Sequence, residues 1–174
     1  MIMNAGRARP LSKWVVMETA DEYLELVLVP ALGYDEKKMV VEAVAGTVWH
    51  LVDQASIDLI SDHPWPRQSG GSLDRLMAAL VRQRSVLRGR QKQTINLDID
   101  VADDREVAAF LDLVPYTISA EAWCGSVALI DAADSGSVRF QMPALLQGRL
   151  TELVSDRGMD IGQVLVPSPP DEHR

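Results

Sequence analysis

Cysteine, histidine, aromatic residues and long apolar runs are all scarce in this 174-residue chain. A single cysteine, Cys124, excludes a disulfide scaffold and a cysteine-rich zinc module. No apolar run approaches the roughly 18 residues that span a bilayer, so we expect no membrane partner. The chain also lacks Gly-x-Ser-x-Gly, Gly-x-Gly-x-x-Gly, His-Glu-x-x-His and a phosphate-binding glycine loop with lysine. These absences point away from the common hydrolase, dinucleotide, nucleotide and zinc-protease classes, and no cofactor is predicted.

The composition predicts one globular domain with a tail at each end. Hydrophobic residues make up 47% of the chain and charged residues 24%, close to the average for globular proteins. Residues 1–12 contain two arginines but no apolar stretch typical of a secretory signal. Residues 167–174 hold three prolines and no apolar side chain, which is typical of a disordered tail. We therefore expect a single domain over 13–166, and a cytoplasmic location follows from the lone thiol and the absence of a signal.

Charge is the strongest compositional feature that is present. The formal net charge is −8, and residues 82–92 contain five basic and no acidic residues. The rest of the chain then holds 12 basic against 25 acidic residues. A surface this acidic repels a phosphate backbone, so nucleic acid is disfavoured except as RNA contacted locally through 82–92.

Hydrophobic periodicity predicts an alternation of strands and helices. Residues 14–19 and 23–29 are rich in β-branched and aromatic residues, which predicts an N-terminal β-hairpin. From Asp35 onward, apolar residues recur at intervals of three and four residues. This spacing predicts a helix that reaches about Ile60, or one that breaks near Ser56 and restarts. Residues 61–71 form the main loop.

The second half of the chain predicts shorter elements in the same mixture. We expect a helix from the cap Ser72 to Gly89, a strand over 94–101, a helix from Asp103 to Pro115, strands over 116–122, 127–130 and 137–142, a helix from Pro143 to Gly158, and a strand over 161–166. Consecutive strands without strict βα alternation favour an α+β fold, a two-layer sandwich with a mixed or mainly antiparallel sheet and helices packed on one face.

An acidic stretch around the start of the third predicted helix has two interpretations. Carboxylates at Asp98, Asp100 and Asp103, with Asp104 and Glu106, are oxygen ligands of the kind that Mg²⁺ prefers. However, Asp103 followed three residues later by Glu106 has the spacing of a helix capping box. The second interpretation accounts for nearly all of the pattern, so no metal site is predicted.

Arginines near the end of the second predicted helix form the first candidate site. At 100° per residue, Arg84 and Arg88 fall inside or beside the stripe of Leu76, Leu80 and Leu87. A guanidinium in an apolar stripe is costly unless it has a partner. That partner is a carboxylate of the same chain, such as Glu121 or Asp100, or a bound anion or protein acid. Alternatively, the cations simply favour a helix C-terminus.

The loop Asp62-His63-Pro64-Trp65-Pro66-Arg67 is the second candidate site. Flanking prolines restrict Trp65, so little conformational entropy is lost when it docks on a partner. Tryptophan and arginine are also enriched at interface hot spots. The alternative is that Trp65 folds back over the protein's own core.

Nucleophilic catalysis by a thiol is the weakest candidate. Cys124 would need activation by His50 or His63, and no family signature surrounds it. A free cysteine usually behaves as a small buried apolar residue.

These observations together predict a binding module rather than an enzyme. We expect an adaptor or an inhibitor of the immunity-protein kind, whose acidic surface and Arg/Trp contact region (Trp65, Arg67, Arg84, Arg88) meet a basic protein partner. The alternative is a small enzyme or ligand sensor that binds an anionic small molecule through the same arginines. A homodimer formed through the edge of the N-terminal hairpin is a further expectation.

Overall fold

A computed structural model describes residues 23–60, 63–86, 96–133 and 136–168 of the chain. Within these ranges, seven strands and five α-helices follow one another, with short 3-10 turns between some of them. In chain order they are β1 (Tyr23–Leu28), α1 (Tyr34–Val48), β2 (Gln54–Asp58), α2 (Gly70–Val86), β3 (Asn96–Asp98), α3 (Asp104–Leu113), β4 (Ser119–Cys124), β5 (Val127–Ala133), β6 (Ser137–Pro143), α4 (Gln147–Ser155), α5 (Ile161–Val164) and β7 (Leu165–Pro167).

The seven strands form one antiparallel sheet in the order β3-β2-β4-β5-β6-β1-β7. Side chains alternate between buried and accessible along β4 and β6, as the period of two in a strand requires. The buried members face the helices and form the core with them. The α+β two-layer sandwich predicted from the sequence is confirmed.

The core lies between the sheet and the helices. Phe140 of β6, Phe110 of α3 and Leu76 of α2 are fully buried, and α1 contributes a continuous set of buried valines and alanines. Burying a side chain of this size contributes about 1.5–3 kcal/mol. The helix layer is therefore held to one face of the sheet by apolar contact.

The long helix predicted from Asp35 to about Ile60 is wrong beyond Val48. Residues 54–58 form β2, in which Ala55 and Ile57 are buried and alternate with more accessible neighbours. The sequence alone is ambiguous here, because the apolar residues fit the spacing of a helix and also lead into the alternation of a strand. These residues are Val48, Leu51, Val52 and Ala55. Tertiary pairing with β3 and β4 decides in favour of the strand.

Several predicted helix boundaries also change. Ser72 is not a cap, because α2 begins at Gly70. Asp103 does cap α3, accepting a hydrogen bond from the Arg105 amide at 2.8 Å. Pro143 ends β6 instead of starting a helix, since α4 begins at Gln147 after a 3-10 turn. The predicted strand over 161–166 divides into α5 and β7.

Of the two predicted hairpins, the second is confirmed in its strand pairing, because β5 and β6 pair antiparallel from Ile130 with Phe140 to Ala133 with Ser137. The first strand predicted for the N-terminal hairpin, residues 14–19, lies outside the described residues. Its second strand is β1, whose partners in the described sheet are β6 and β7. β1 is therefore not an edge strand of this sheet. β7 extends to Pro167, one residue past the predicted domain end, and the Ser168 amide donates to the Glu25 carbonyl at 3.0 Å.

Candidate functional site

Trp65, the anchor predicted for the proline-rich loop, packs against the protein's own core. Its Nε1 donates to the carbonyl oxygen of Ile60 at 2.9 Å, and its ring meets the His63 ring edge to face with 4.8 Å between centroids. His63 Nε2 lies 2.5 Å from the Tyr116 carbonyl oxygen. These contacts fasten the loop to the fold and leave Trp65 only partly accessible.

The two predicted arginines that the structure describes, Arg67 and Arg84, are not brought together. Arg67 is exposed in the 3-10 turn before α2, whereas Arg84 is exposed near the far end of that helix. A rise of 1.5 Å per residue separates them by about 25 Å. Arg88 lies outside the described residues. A contact region made of Trp65, Arg67, Arg84 and Arg88 therefore stays a prediction.

A different arginine of α2 forms an ion pair. Arg82, whose side chain is exposed, donates from its Nη2 to Glu106 Oε1 of α3 at 3.0 Å. The second oxygen of the buried Glu106 accepts the Asp100 amide at 3.1 Å, so Glu106 does not complete the capping box with Asp103. The Glu106 carboxylate joins two helices and the loop after β3.

A shallow groove of about 370 Å³ runs beside this ion pair, between α2 and α3. Its lining contains as many acids as arginines, and two of the acids are the helix cap Asp103 and the ion-paired Glu106. The charges of the groove balance, so it offers no preference for an anion. Its charged lining residues are Asp74, Arg75, Arg82, Asp103, Arg105 and Glu106.

The alternative metal site does not assemble in the described part of the chain. There, no three histidine, cysteine, aspartate or glutamate side chains are placed so that they could share an ion. Asp100 Oδ1 instead accepts the Ala102 amide at 3.0 Å. Cys124 is buried on the core side of β4, while His50 is exposed and His63 contacts the Tyr116 carbonyl.

A second buried carboxylate, Asp112 of α3, forms a junction between three helices. Its Oδ1 accepts the Tyr34 hydroxyl at 2.7 Å and lies 3.3 Å from Lys38 Nζ, both of α1. Its Oδ2 accepts the Ser72 hydroxyl of α2 at 2.7 Å. Both oxygens are used within the fold, so this cluster is structural in character.

Two stacked tyrosines flank the Asp112 junction. The rings of Tyr34 and Tyr116 lie 5.6 Å apart, and Lys37 Nζ sits 5.6 Å from the centre of the Tyr116 ring. Burial, followed by the nearby Asp112 carboxylate, raises the pKa of Tyr116 to about 12, and burial with the hydrogen bond to Asp112 also raises the pKa of Tyr34. The Tyr116 hydroxyl oxygen is buried and has no hydrogen-bond partner among the described residues. Both phenols remain protonated near neutral pH.

The face of the sheet that lies opposite the helices is called the open face below, and most of its charged residues are acidic. Strand register places on it five carboxylates and one guanidinium, which give it a formal charge of −4. That is half of the net charge of the whole chain. The six residues are Glu25, Asp58, Asp98, Glu121, Asp131 and Arg139.

Two of these acids are directly opposed. Glu121 of β4 pairs with Asp131 of β5, and like charges facing one another across an antiparallel pair are destabilising. Arg139 lies opposite Asp131 on the other side, but neither forms an ion pair with a described residue. The charge of the open face is therefore not neutralised by the described part of the fold.

Beside these acids the open face has a pocket of about 290 Å³ between β4, β5, β6 and β1. Trp123 forms part of its wall, and the indole Nε1 donates to Glu121 Oε2 at 3.0 Å, which orients the ring. Gln141 Nε2 donates to Glu25 Oε1 at 2.6 Å. The pocket is lined by Glu25, Trp123, Ser126, Ala128, Asp131, Arg139, Phe140 and Gln141.

Sequence reasoning did not find the open face. Glu25 lies about a hundred residues before Glu121 and Asp131, and each of the three sits singly among apolar neighbours. The sequence feature that could have indicated it is the alternation of polar and apolar residues in β4 and β6, which identifies the side chains that point away from the core. Which strands are neighbours, and hence which outward residues meet, required the sheet order.

No protein-family model, curated protein or solved structure matches this chain. Among the helices in residues 23–60, 63–86, 96–133 and 136–168, none has the length and apolar character that crossing a bilayer requires.

Proposed function

We propose that this chain is a protein-binding module whose open face holds a basic segment of a partner protein. The observation that carries the proposal is the opposition of Glu121 and Asp131, which costs folding free energy and is relieved by a cation between them. Acidic surfaces of this kind also accelerate association with basic partners.

The outer strands of the described sheet favour binding of a partner on the open face over addition of a partner strand at an edge. These two outer strands, β3 and β7, are three residues each, and the β7 strand ends in a proline. A partner strand needs a longer row of free amides and carbonyls than these edges offer. The face also disfavours a symmetric homodimer through itself, because two copies would bring like charge against like charge.

The first experiment compares two double variants in their binding of an oligolysine peptide by fluorescence anisotropy. Glu121→Gln/Asp131→Asn removes two charges from the open face, whereas Glu152→Gln/Asp156→Asn removes two exposed charges from the α4 region. We expect the first variant to weaken binding by about tenfold and the second by less than about twofold, because charge acts strongly only at short range.

Binding of the wild-type protein should also weaken steeply with added NaCl, since the contacts are between exposed charges. Equal losses in the two double variants would mean that only net charge matters, and would contradict the proposal. An absence of peptide binding at low salt would contradict it as well.

A further inference from the structure

We propose that the pocket of the open face is the anchor for one arginine side chain of the partner's basic segment. This inference rests on the proposed function and names the group that the site selects. A volume of about 290 Å³ lies at the low end for ligand pockets, and it suits a single side chain better than a larger ligand.

The lining supplies both kinds of group that a guanidinium needs. Glu25 on β1 and Asp131 on β5 present carboxylates from two sides of β6, and carboxylates accept the forked N–H donors of arginine. The Trp123 ring provides an aromatic surface, on which a planar guanidinium stacks better than a compact ammonium. Arginine is therefore favoured over lysine.

Both recognition groups are already oriented by other bonds. The indole Nε1 is engaged by Glu121, so the ring does not need to be ordered by the ligand. Gln141 holds one oxygen of Glu25 at 2.6 Å and leaves the other available. Orientation before binding lowers the entropy that binding costs.

Local backbone irregularity opens the space over the indole. Register shifts between Ala122 and Trp123, so that Trp123 pairs with Ala128 and Leu129 becomes the extra residue of a β-bulge. The residue across from the indole is thus an alanine, which does not cover the ring. Bulges commonly re-aim a side chain next to a functional site.

Arg139 lines the same pocket and opposes a cationic occupant by charge repulsion. Its removal therefore separates the candidate occupants. Arg139→Gln should tighten the binding of a basic peptide by about twofold or more. A zwitterionic or anionic ligand, which would use Arg139, should instead lose affinity in this variant.

The test uses two peptides that differ at one position, an oligolysine and the same peptide with its central lysine replaced by arginine. We expect the wild-type protein to bind the arginine peptide about threefold more tightly, as stacking on an indole allows. Glu25→Gln should reduce this preference to near unity. Asp98→Asn, which removes the same charge from the same face outside the pocket, should weaken both peptides equally and keep the preference.

Trp123→Leu should also remove the preference, with circular dichroism confirming that this variant is folded. Equal affinity of the wild-type protein for both peptides, or an identical response to Glu25→Gln and Asp98→Asn, would overturn the anchor and leave the proposed function standing. Failure to bind either peptide would overturn the proposed function itself. Weaker binding of both peptides in Arg139→Gln would also overturn the anchor, because a cationic side chain in the pocket should bind this variant more tightly.

The same binding experiments distinguish two other candidate occupants of the pocket. If a blocked arginine amide alone bound as tightly as the arginine peptide, a free small molecule would be the ligand and a partner segment would be excluded. Tighter peptide binding in Arg7→Gln/Arg9→Gln/Lys13→Gln, by about fivefold or more, would identify the chain's own basic residues as the occupant. Either result would overturn the assignment to a partner.

Discussion

The carboxylates of the helix layer and those of the open face behave as opposites. Asp112 accepts from Tyr34 and Ser72 and neighbours Lys38, and Glu106 is held by Arg82 and a backbone amide. On the open face, Glu121 and Asp131 face each other instead. Acids that maintain the fold are enclosed by donors, whereas acids that oppose one another leave charge available to a partner.

The largest expected effect is the loss of the Asp112 junction. Asp112→Ala should lower the free energy of unfolding by about 3 kcal/mol, because it leaves two partly buried hydroxyl donors and Lys38 without their acceptor. Urea denaturation followed by circular dichroism measures this change. A loss below about 1 kcal/mol would mean that the helix layer does not depend on its charges, and the contrast between the faces would fail.

The stacked tyrosines give a matched pair within the helix layer. Tyr34→Phe should cost about 1.5 kcal/mol, because a hydrogen bond to a carboxylate is lost. Tyr116→Phe should be neutral or slightly stabilising, because its buried hydroxyl has no partner to lose in the described part of the chain. The same denaturation experiment compares them. The order would be refuted if Tyr116→Phe were the more damaging change.

Alkaline pH should weaken the same region. The pKa values of Tyr34 and Tyr116 are raised above the ordinary value of 10, so the folded state holds these protons more tightly than the unfolded state. Their contribution is fully present below pH 10 and is lost as pH rises from 10 through about 12. The urea midpoint should fall over this window, and fall less in Tyr34→Phe. A midpoint that rises there would contradict the assignment.

The smallest effect has the opposite sign. Asp131→Asn should leave the free energy of unfolding unchanged or raise it by a few tenths of a kcal/mol, since it removes the repulsion with Glu121. Thermal denaturation at low salt, where surface charge is least screened, measures it best. A loss above about 1 kcal/mol would show that Asp131 maintains the fold, as Asp112 does.

Local signals predicted the fold class correctly, whereas the candidate site residues stay predictions. The alternation over 94–101 correctly places Leu97 and Ile99 inside and Asp98 and Asp100 outside, and Asp103 caps α3 as its spacing indicates. The periodicity of α2 describes one helix alone. It does not predict that Glu106 of α3 lies beside Arg82, because the periodicity of two helices does not specify how they pack against each other.

By itself, the sequence determined which side chains of β3, β4 and β6 face inward, because burial follows the local period of the chain. It thereby determined the two-layer α+β architecture and the antiparallel pairing of β5 with β6. The tertiary structure alone decided that residues 54–58 are a strand, and that Glu25, Glu121, Trp123 and Asp131 share one face. Strand order and register bring together residues far apart in sequence, and they are set by the packing of the whole sheet against its helices.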